Sequence, residues 1–388
     1  MEYLRLFEQH SQYTAYTAST EIETPHVSYC RTQDEVHYDP KPPIVVVAKF
    51  NVTDTSNPTP IGYNKYTSGF SAIEIDGVVQ PNVVSAYTFD TTGEHTVKYT
   101  LKDPTTIGFR AFQNCNSLTS IDIPNSVTSI DRYALSHCTS LTSIDIPSGV
   151  TSIGDRAFED CSGLTSIDIP NSVTTISDYV FEDCSGLTSC TIGSGVTYVG
   201  PFAFNGTPWI VTYSADVNNQ YGNIVYINDI AYKKVSDSIT YVQFKETTKR
   251  ITEYAFAGCK NITSVTIPDS VTSIGENAFD ECSSLTSCTI GNGVTSIGSS
   301  TFAYCSGLIS CTIGSSVTRI GVDGFLHCRN LTSIVCNATT APTIQSTTFL
   351  SVKTGGTLTV PSGSSGYDVW MGTGDCYLGK YNWTKVEQ

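Results

Sequence analysis

The chain contains no run of about 18 or more apolar residues, so no segment of it reads as a membrane-spanning helix. Charge is sparse, at 15% of 388 residues, and the basic sign is the scarcer: 21 Lys plus Arg stand against 36 Asp plus Glu, for a net charge of −15. A surface so poor in cations is a bad match for a phosphate backbone, which argues against nucleic acid as a partner. Residues 1–20 lack the basic start and apolar stretch of a secretory leader, so export would use a leader outside this chain or another route. No C-x-x-C pair occurs, and the spacings Cys184/Cys190 and Cys305/Cys311 match no recognised metal site, so no metal is expected. Neither a Gly-rich phosphate loop nor a G-x-S-x-G element is present. The histidines (His10, His26, His37, His95, His137, His327) are scattered, and His137 and His327 share a slot with Asn114, Asp160, Gly258 and Tyr304. A Cys–His nucleophile pair needs a convergent base and an oriented third group. No catalytic residue and no cofactor are therefore expected.

What the sequence has in abundance is self-similarity. The phrase T-S-I-x-x-x-A-F-x-x-C-x-x-L-T-S-I-x-I-P recurs, with its phase marked by Cys115, Cys138, Cys161 and Cys184. Its leucine column runs Leu118, Leu141, Leu164, Leu187, Ile210, Ile239, Ile262, Leu285, Leu308, Leu331; eight intervals equal 23 and one, from 210 to 239, equals 29. Six extra residues are expected there. Ile121-Asp122-Ile123, Ile144-Asp145-Ile146 and Val265-Thr266-Ile267 alternate with the period of two of a short strand. Pro124, Pro147, Pro170 and Pro268 follow, and a residue without an N–H marks the strand's end. Ten such strands, about 4.8 Å apart, would make a parallel stack of about 45 Å. Ile153, Ala157, Phe158 and Cys161 fill the rest of a repeat at spacings that suit one or two irregular helical turns behind the sheet. The column Ile121, Ile144, Ile167, Cys190, Val265, Cys288, Cys311 selects a small apolar body, and parallel side chains on stacked rungs aim badly for disulfides. Buried free thiols are expected.

On these residues, about 104–336 resemble the BspA-type leucine-rich repeats of bacterial surface proteins, whose repeat has this length and the same A-F-x-x-C-x-x-L-x-x-I-x-I-P signature. The interruption Ala203–Trp209, the aromatic-rich stretch Ile224–Tyr232, and the later Leu358–Pro361 and Trp383 are similar to features of that family. The resemblance implies adhesins or interaction modules, not enzymes. The fold expected is an α/β solenoid of 23-residue leucine-rich repeats with a parallel sheet and an N-terminal small β domain.

Four segments follow: an extension over 1–43, a small β domain over 44–103, the solenoid over 104–336 with an insertion near 205–235, and a C-terminal cap over 337–388. In the first, Glu2–Gln12 reads as helical; the wording around Val27–Cys30 and Val36–Tyr38 is similar to stretches in gut-bacterial and prophage tail-associated proteins. In the second, Ile44–Val52, Ala72–Ile75, Val83–Phe89 and Thr96–Leu101 read as strands. The phrase Tyr87–Val97 resembles the hairpin of immunoglobulin-like surface modules.

Two binding candidates stand out. One is the polar strand face, with Ser120, Ser143 and Ser166 in one row and Asp122, Asp145 and Asp168 in the next. It is either a solvated face or a seat for a cation or basic partner, although one carboxylate column does not supply the six to eight oxygens of about the usual Ca²⁺ shell. The other gathers Phe202, Trp209, Tyr213, Tyr221, Tyr226 and Tyr232 where the repeat breaks, either as packing or as a recognition hot spot. The expected role is a monomeric, non-enzymatic cell-surface or secreted protein that binds an extracellular protein or glycan in adhesion or host interaction. The alternative is a receptor-binding or structural protein of a prophage tail, located on the phage particle.

Overall fold

The computed structural model describes residues 27–29, 36–38, 42–62, 69–345, 347–375 and 377–388. The expected helix over Glu2–Gln12, and Cys30 and Cys376, lie outside them. The chain divides into two units, 1–43 and 44–388. In the first, Val27–Tyr29 pairs antiparallel with Val36–Tyr38.

The second unit opens with an antiparallel layer. Val45–Val52 buries every other residue, Val46, Ala48, Phe50 and Val52, as a strand with one core face must. It pairs with Gly93–Leu101, which pairs in turn with Phe70–Ile75. Phe70–Ile75 reverses into Val78–Val79 through Asp76-Gly77, whose φ values of 47° and 82° make the primed turn that follows strand twist. Of the expected strand Val83–Phe89, Ala86–Tyr87 is paired, with Thr59–Pro60. On its other edge Val45–Val52 pairs antiparallel with Leu118–Asp122, so this sheet runs into the first repeat.

Most repeats then contribute to two parallel ladders, but the expected unbroken stack of ten long strands is interrupted: Leu118–Asp122 is paired antiparallel instead, and Ile144-Asp145-Ile146 forms no strand. Long strands stack in exact-repeat register, as in Ser264↔Ser287, Ser287↔Ser310 and Ser310↔Ser333, and likewise Ser166↔Ser189. Thr357–Val360 and Thr384–Glu387 continue this ladder. The second ladder consists of two-residue strands: Thr106–Ile107, Ser129–Ile130, Ser152–Ile153, Thr175–Ile176 and Tyr198–Val199, then Arg250–Ile251, Ser273–Ile274, Ser296–Ile297 and Arg319–Ile320.

The helical layer expected behind the sheet is replaced by a corner, and the α-helix of the described residues is confined to Pro208–Ala215. Arg156 and Asp160 adopt φ of 56° and 57°, and the matching residues of other turns do the same. Between them the backbone donors alternate. The N–H groups of Arg156, Phe158 and Asp160 reach the carbonyls of Asp178, Val180 and Glu182 on the next turn at 2.9, 2.9 and 2.8 Å, while those of Ala157 and Glu159 close locally on Gly154 and Arg156. A helix would turn all these donors onto its own carbonyls and leave adjacent turns unpaired. The solenoid is therefore a β-solenoid with hydrogen-bonded corners.

Aromatic and sulfur columns fill the interior. Phe158, Phe181 and Phe204 stack at 5.4 and 5.3 Å between centroids, and Phe256, Phe279 and Phe302 at 5.1 and 5.5 Å. Beside them the thiols of Cys138, Cys161, Cys184, Cys305 and Cys328 donate to carbonyls of the preceding turn, at 3.0–3.2 Å. Every cysteine of the described residues is free, and all but Cys190 are buried. Burial pushes the Cys115, Cys138 and Cys161 thiols well up from their ordinary pKa.

The break in the repeat differs from a single six-residue insertion. The short-strand column steps 32 residues from Val199 to Ala231 and 20 from Ala231 to Ile251, against 23 on either side. The long turn accommodates the helix Pro208–Ala215, started by Thr207, whose hydroxyl accepts from the Ile210 N–H at 3.2 Å, with proline at the first helical position.

Two outcomes test this account of the core. Phe279→Ala, at 0% exposure and stacked on both sides, should lower unfolding free energy by about 3–5 kcal/mol, read as a shifted denaturant midpoint. Alkylation at mildly alkaline pH, mapped by mass spectrometry, should leave Cys138, Cys161, Cys305 and Cys328 unmodified in the native chain and label them fully in denaturant. Rapid native labelling of that column would refute the sealed thiol ladder.

Candidate functional site

The polar strand face is built unevenly. Ser120 and Asp122 lie on the strand that joins the antiparallel layer, opposite Lys49 and Val47. Ser143 and Asp145 sit on an unpaired segment, and a shallow hollow of about 200 Å³ separates it from Ser166–Pro170. Asp122, Asp145 and Asp168 are exposed, as are Ser143 and Ser166, while Ser120 is half-buried. Asp168 Oδ1 already accepts from Thr191 Oγ1 at 2.5 Å. Among the described residues no three His, Cys, Asp or Glu side chains converge as a metal site would require.

The aromatics of the break divide by depth. Trp209, Tyr226 and Tyr232 are buried at 6%, 2% and 6% exposure, with Trp209 packed between Phe204 and Tyr213 at 4.5 and 4.7 Å. Tyr226 hydroxyl is bonded to Thr248 Oγ1 at 2.9 Å and accepts from the Lys245 N–H at 3.0 Å. The half-buried Tyr213 donates to the Tyr226 carbonyl at 2.9 Å. Phe202 and Tyr221 remain exposed. These six residues thus do not form one surface: most of them rebuild the core across the irregular turn.

A different set is brought together outside. The residue two before the phenylalanine column, at the Arg156 position of each corner, has positive φ, which turns its side chain outward, and in the first half of the solenoid that column reads Arg110, Tyr133, Arg156, Tyr179, Phe202, Tyr254. Arg156 lies 4.1 Å over the Tyr179 ring, Tyr179 stacks on Phe202 at 5.3 Å, and Phe202 meets Tyr254 at 5.6 Å. Arg110 and Arg132 flank Tyr133 at 4.9 and 5.0 Å. Carboxylates hold the arginines in place: Glu182 lies 3.3 Å from Arg156, and Glu253 lies 2.7 Å from Arg250. In the second half the same column is Asn277, Ser300 and Asp323. The 23-residue spacing of Arg110, Tyr133, Arg156, Tyr179 and Phe202 is the signal in the sequence that points to this stripe.

The stripe ends at a cleft of about 500 Å³ where the long and short turns meet. Phe202 and Tyr254 line it together with Tyr232, Lys233 and Lys234, the end of the strand Ile230–Lys234. Lys234 pairs with Asp237 at 3.0 Å. Lys233, also on the wall, is half-buried, and burial pulls its ammonium below the ordinary lysine pKa.

The pattern that describes the BspA type leucine-rich repeat region matches residues 84–221 and 225–354, in six copies. No curated protein sequence matches. Among solved structures the chain is similar to a leucine-rich repeat protein from Bacteroides ovatus, with 19% identity over 78% of this chain and 90% of that one, at a TM-score of 0.30. It is similar to a leucine-rich cell surface protein from Faecalibacterium prausnitzii, with 24% identity over 75% and 83% of the two chains and a TM-score of 0.29. The pneumococcal vaccine antigen PcpA gives 16% identity, 75% and 84% coverage, and a TM-score of 0.31. Among the described residues no helix is long and apolar enough to cross a membrane.

The depth of the aromatics has a direct test. Trp209, Trp370 and Trp383 are all at most 6% exposed, so native tryptophan emission should be blue-shifted and resist acrylamide quenching. Trp209→Ala should cost about 3–5 kcal/mol of stability, whereas Phe202→Ala should cost only about 1 kcal/mol for its lost stacking. Comparable losses for both would contradict the division between packing and surface.

Proposed function

This chain belongs to the BspA-type leucine-rich repeat family, and from that premise we propose that it is a non-enzymatic surface or secreted protein that binds an extracellular protein or glycan as a monomer. The observation that carries this reading is the outward stripe Arg156, Tyr179, Phe202 and Tyr254, with Phe202 and Tyr254 at 39% and 44% exposure. Tyrosine and arginine dominate interface hot spots because a rigid ring covers much area at little entropic cost. Here the rings are held in order by left-handed corners, so little freedom remains to be lost on binding. The Ser/Asp strand face, with Asp122, Asp145 and Asp168, is a second contact area for a basic partner. Residues 44–103 are read as an immunoglobulin-like module ahead of the repeats, and 337–388 as the cap beyond them.

Protease shaving of intact native cells, with mass spectrometry of the released peptides, tests the location; binding of the purified chain to matrix proteins and glycans tests the role. Repeat peptides should be released from cells, and Tyr179→Ala with Tyr254→Ala should weaken binding by about tenfold or more without lowering the thermal midpoint appreciably. Peptides recovered solely from phage-like particles would overturn the surface reading in favour of a tail protein.

A further inference from the structure

The cleft beside the stripe has a composition that selects a ligand. Its charged groups pair off incompletely: Lys234 is matched by Asp237 at 3.0 Å and Glu253 by Arg250 at 2.7 Å through Oε1, its Oε2 being buried without a hydrogen bond, while Lys233 has no acidic group within 4.0 Å among the described residues. In a chain with 36 acidic residues against 21 basic ones, a half-buried lysine without a carboxylate is out of proportion. A partly desolvated ammonium is costly until an anion meets it, and burial lowers the Lys233 pKa accordingly. Two aromatic rings also line the cleft. Phe202 and Tyr254 lie 5.6 Å apart with their rings tilted by 41°, and both are exposed to solvent. Such rings match the C–H face of a sugar ring, and the volume of about 500 Å³ holds one or two sugar residues.

We propose that this cleft binds a carboxylate-bearing sugar residue of a glycan, with the ring against Phe202 and Tyr254 and the carboxylate on Lys233 Nζ. The inference rests on the binding role proposed above and assigns it a ligand class and a place. An acidic peptide fits less well, because peptides that bind beside strands take up free backbone groups. Ile230–Lys234 has few to give: it pairs with Ile224–Ile227 on one side, Ile230 and Ala231 pair with Arg250–Ile251 on the other, and the Lys234 N–H donates to the Ala255 carbonyl. The site is also singular. It exists where a 32-residue step meets a 20-residue step, and further along the column Asn277, Ser300 and Asp323 stand where the rings would have to be.

Calorimetry on the full chain tests the assignment with matched pairs: oligogalacturonate against its methyl ester, and sialyllactose against lactose, with poly-glutamate as the peptide control. At least one acidic sugar should bind, and its neutral counterpart should bind about tenfold or more weakly. Lys233→Met should bring the acid down to the level of its neutral counterpart, and Lys233→Arg should restore much of the difference. Phe202→Ala with Tyr254→Ala should remove binding of both, with thermal midpoints reported alongside to show that the variants fold. Equal binding of acid and neutral sugar, indifference to Lys233→Met, binding of poly-glutamate in place of the sugars, or no binding by any acidic sugar would each overturn the assignment. If that happens while the chain still binds matrix protein or neutral glycan through Tyr179 and Tyr254, the site assignment alone falls. If matrix binding is also absent, the broader binding role falls with it.

Discussion

The repeats of the second unit depend on backbone donors that point along the stack. In the ladders this is ordinary parallel pairing, as in Ile130↔Ile153 and Cys288↔Cys311. At the corners it is less usual: alternate N–H groups such as those of Phe158 and Asp160 reach the next turn because residues like Arg156 and Asp160 adopt the left-handed conformation. That conformation is unfavourable for a non-glycine residue by roughly 1 kcal/mol. It persists because the alternative would bury unpaired peptide groups, each costing about as much or more. The constraint also fixes register. A turn of the wrong length would displace every donor on it, so the 23-residue step is kept until a separate element absorbs the change, as the helix Pro208–Ala215 does.

This explains which parts of the structure could be read from residues. The columns Phe158/Phe181/Phe204 and Cys161/Cys184 repeat an apolar identity, and an identity repeated at a fixed step has to face the interior. The corner could not be read in this way. Ile153, Ala157, Phe158 and Cys161 have a spacing compatible with helical turns, and nothing in their side chains reveals that the intervening Arg156 and Asp160 have positive φ. Arginine and tyrosine at the first slot carry no glycine signal; at the second, Gly206 and Gly258 share the positive φ of Asp160, a sign confined to two copies of the turn. The two-residue strands were similarly hidden, since Ser152–Ile153 is too short for a period of two to show. At the break, a column that gains nine residues and then loses three is indistinguishable by length from one that gains six.

The candidate surfaces show the same division. Polar rows such as Asp168 and Thr266 were legible because strand alternation sends them outward. The aromatics of the break were legible as a group but not by depth: Trp209 and Tyr232 fill the gap left by the irregular turn, and Phe202 belongs to a stripe that starts well before it. A repeat can change its outer residues freely because only the inner columns and the backbone hold the stack. Hence rings are concentrated in the first half of the corner column and polar residues in the second, and the irregular turns supply a cleft of about 500 Å³ where the regular turns beside Ser143 leave a hollow of about 200 Å³.

The cysteines bear on where such a protein can work. Free thiols in an extracellular setting are normally a liability, since oxidising compartments favour disulfides. Reaction needs thiolate, however, and a thiol that donates to a carbonyl inside an apolar column, as Cys161 does to Leu135 at 3.2 Å, is held protonated and out of reach. Its job in the column is that of a small apolar body with one weak donor, which no aliphatic residue of that size supplies. Free cysteines among the described residues are therefore no argument for a reducing compartment here. The stack gains its stability from continuous burial, and it keeps the thiols of the Cys161 column out of redox chemistry by the same means.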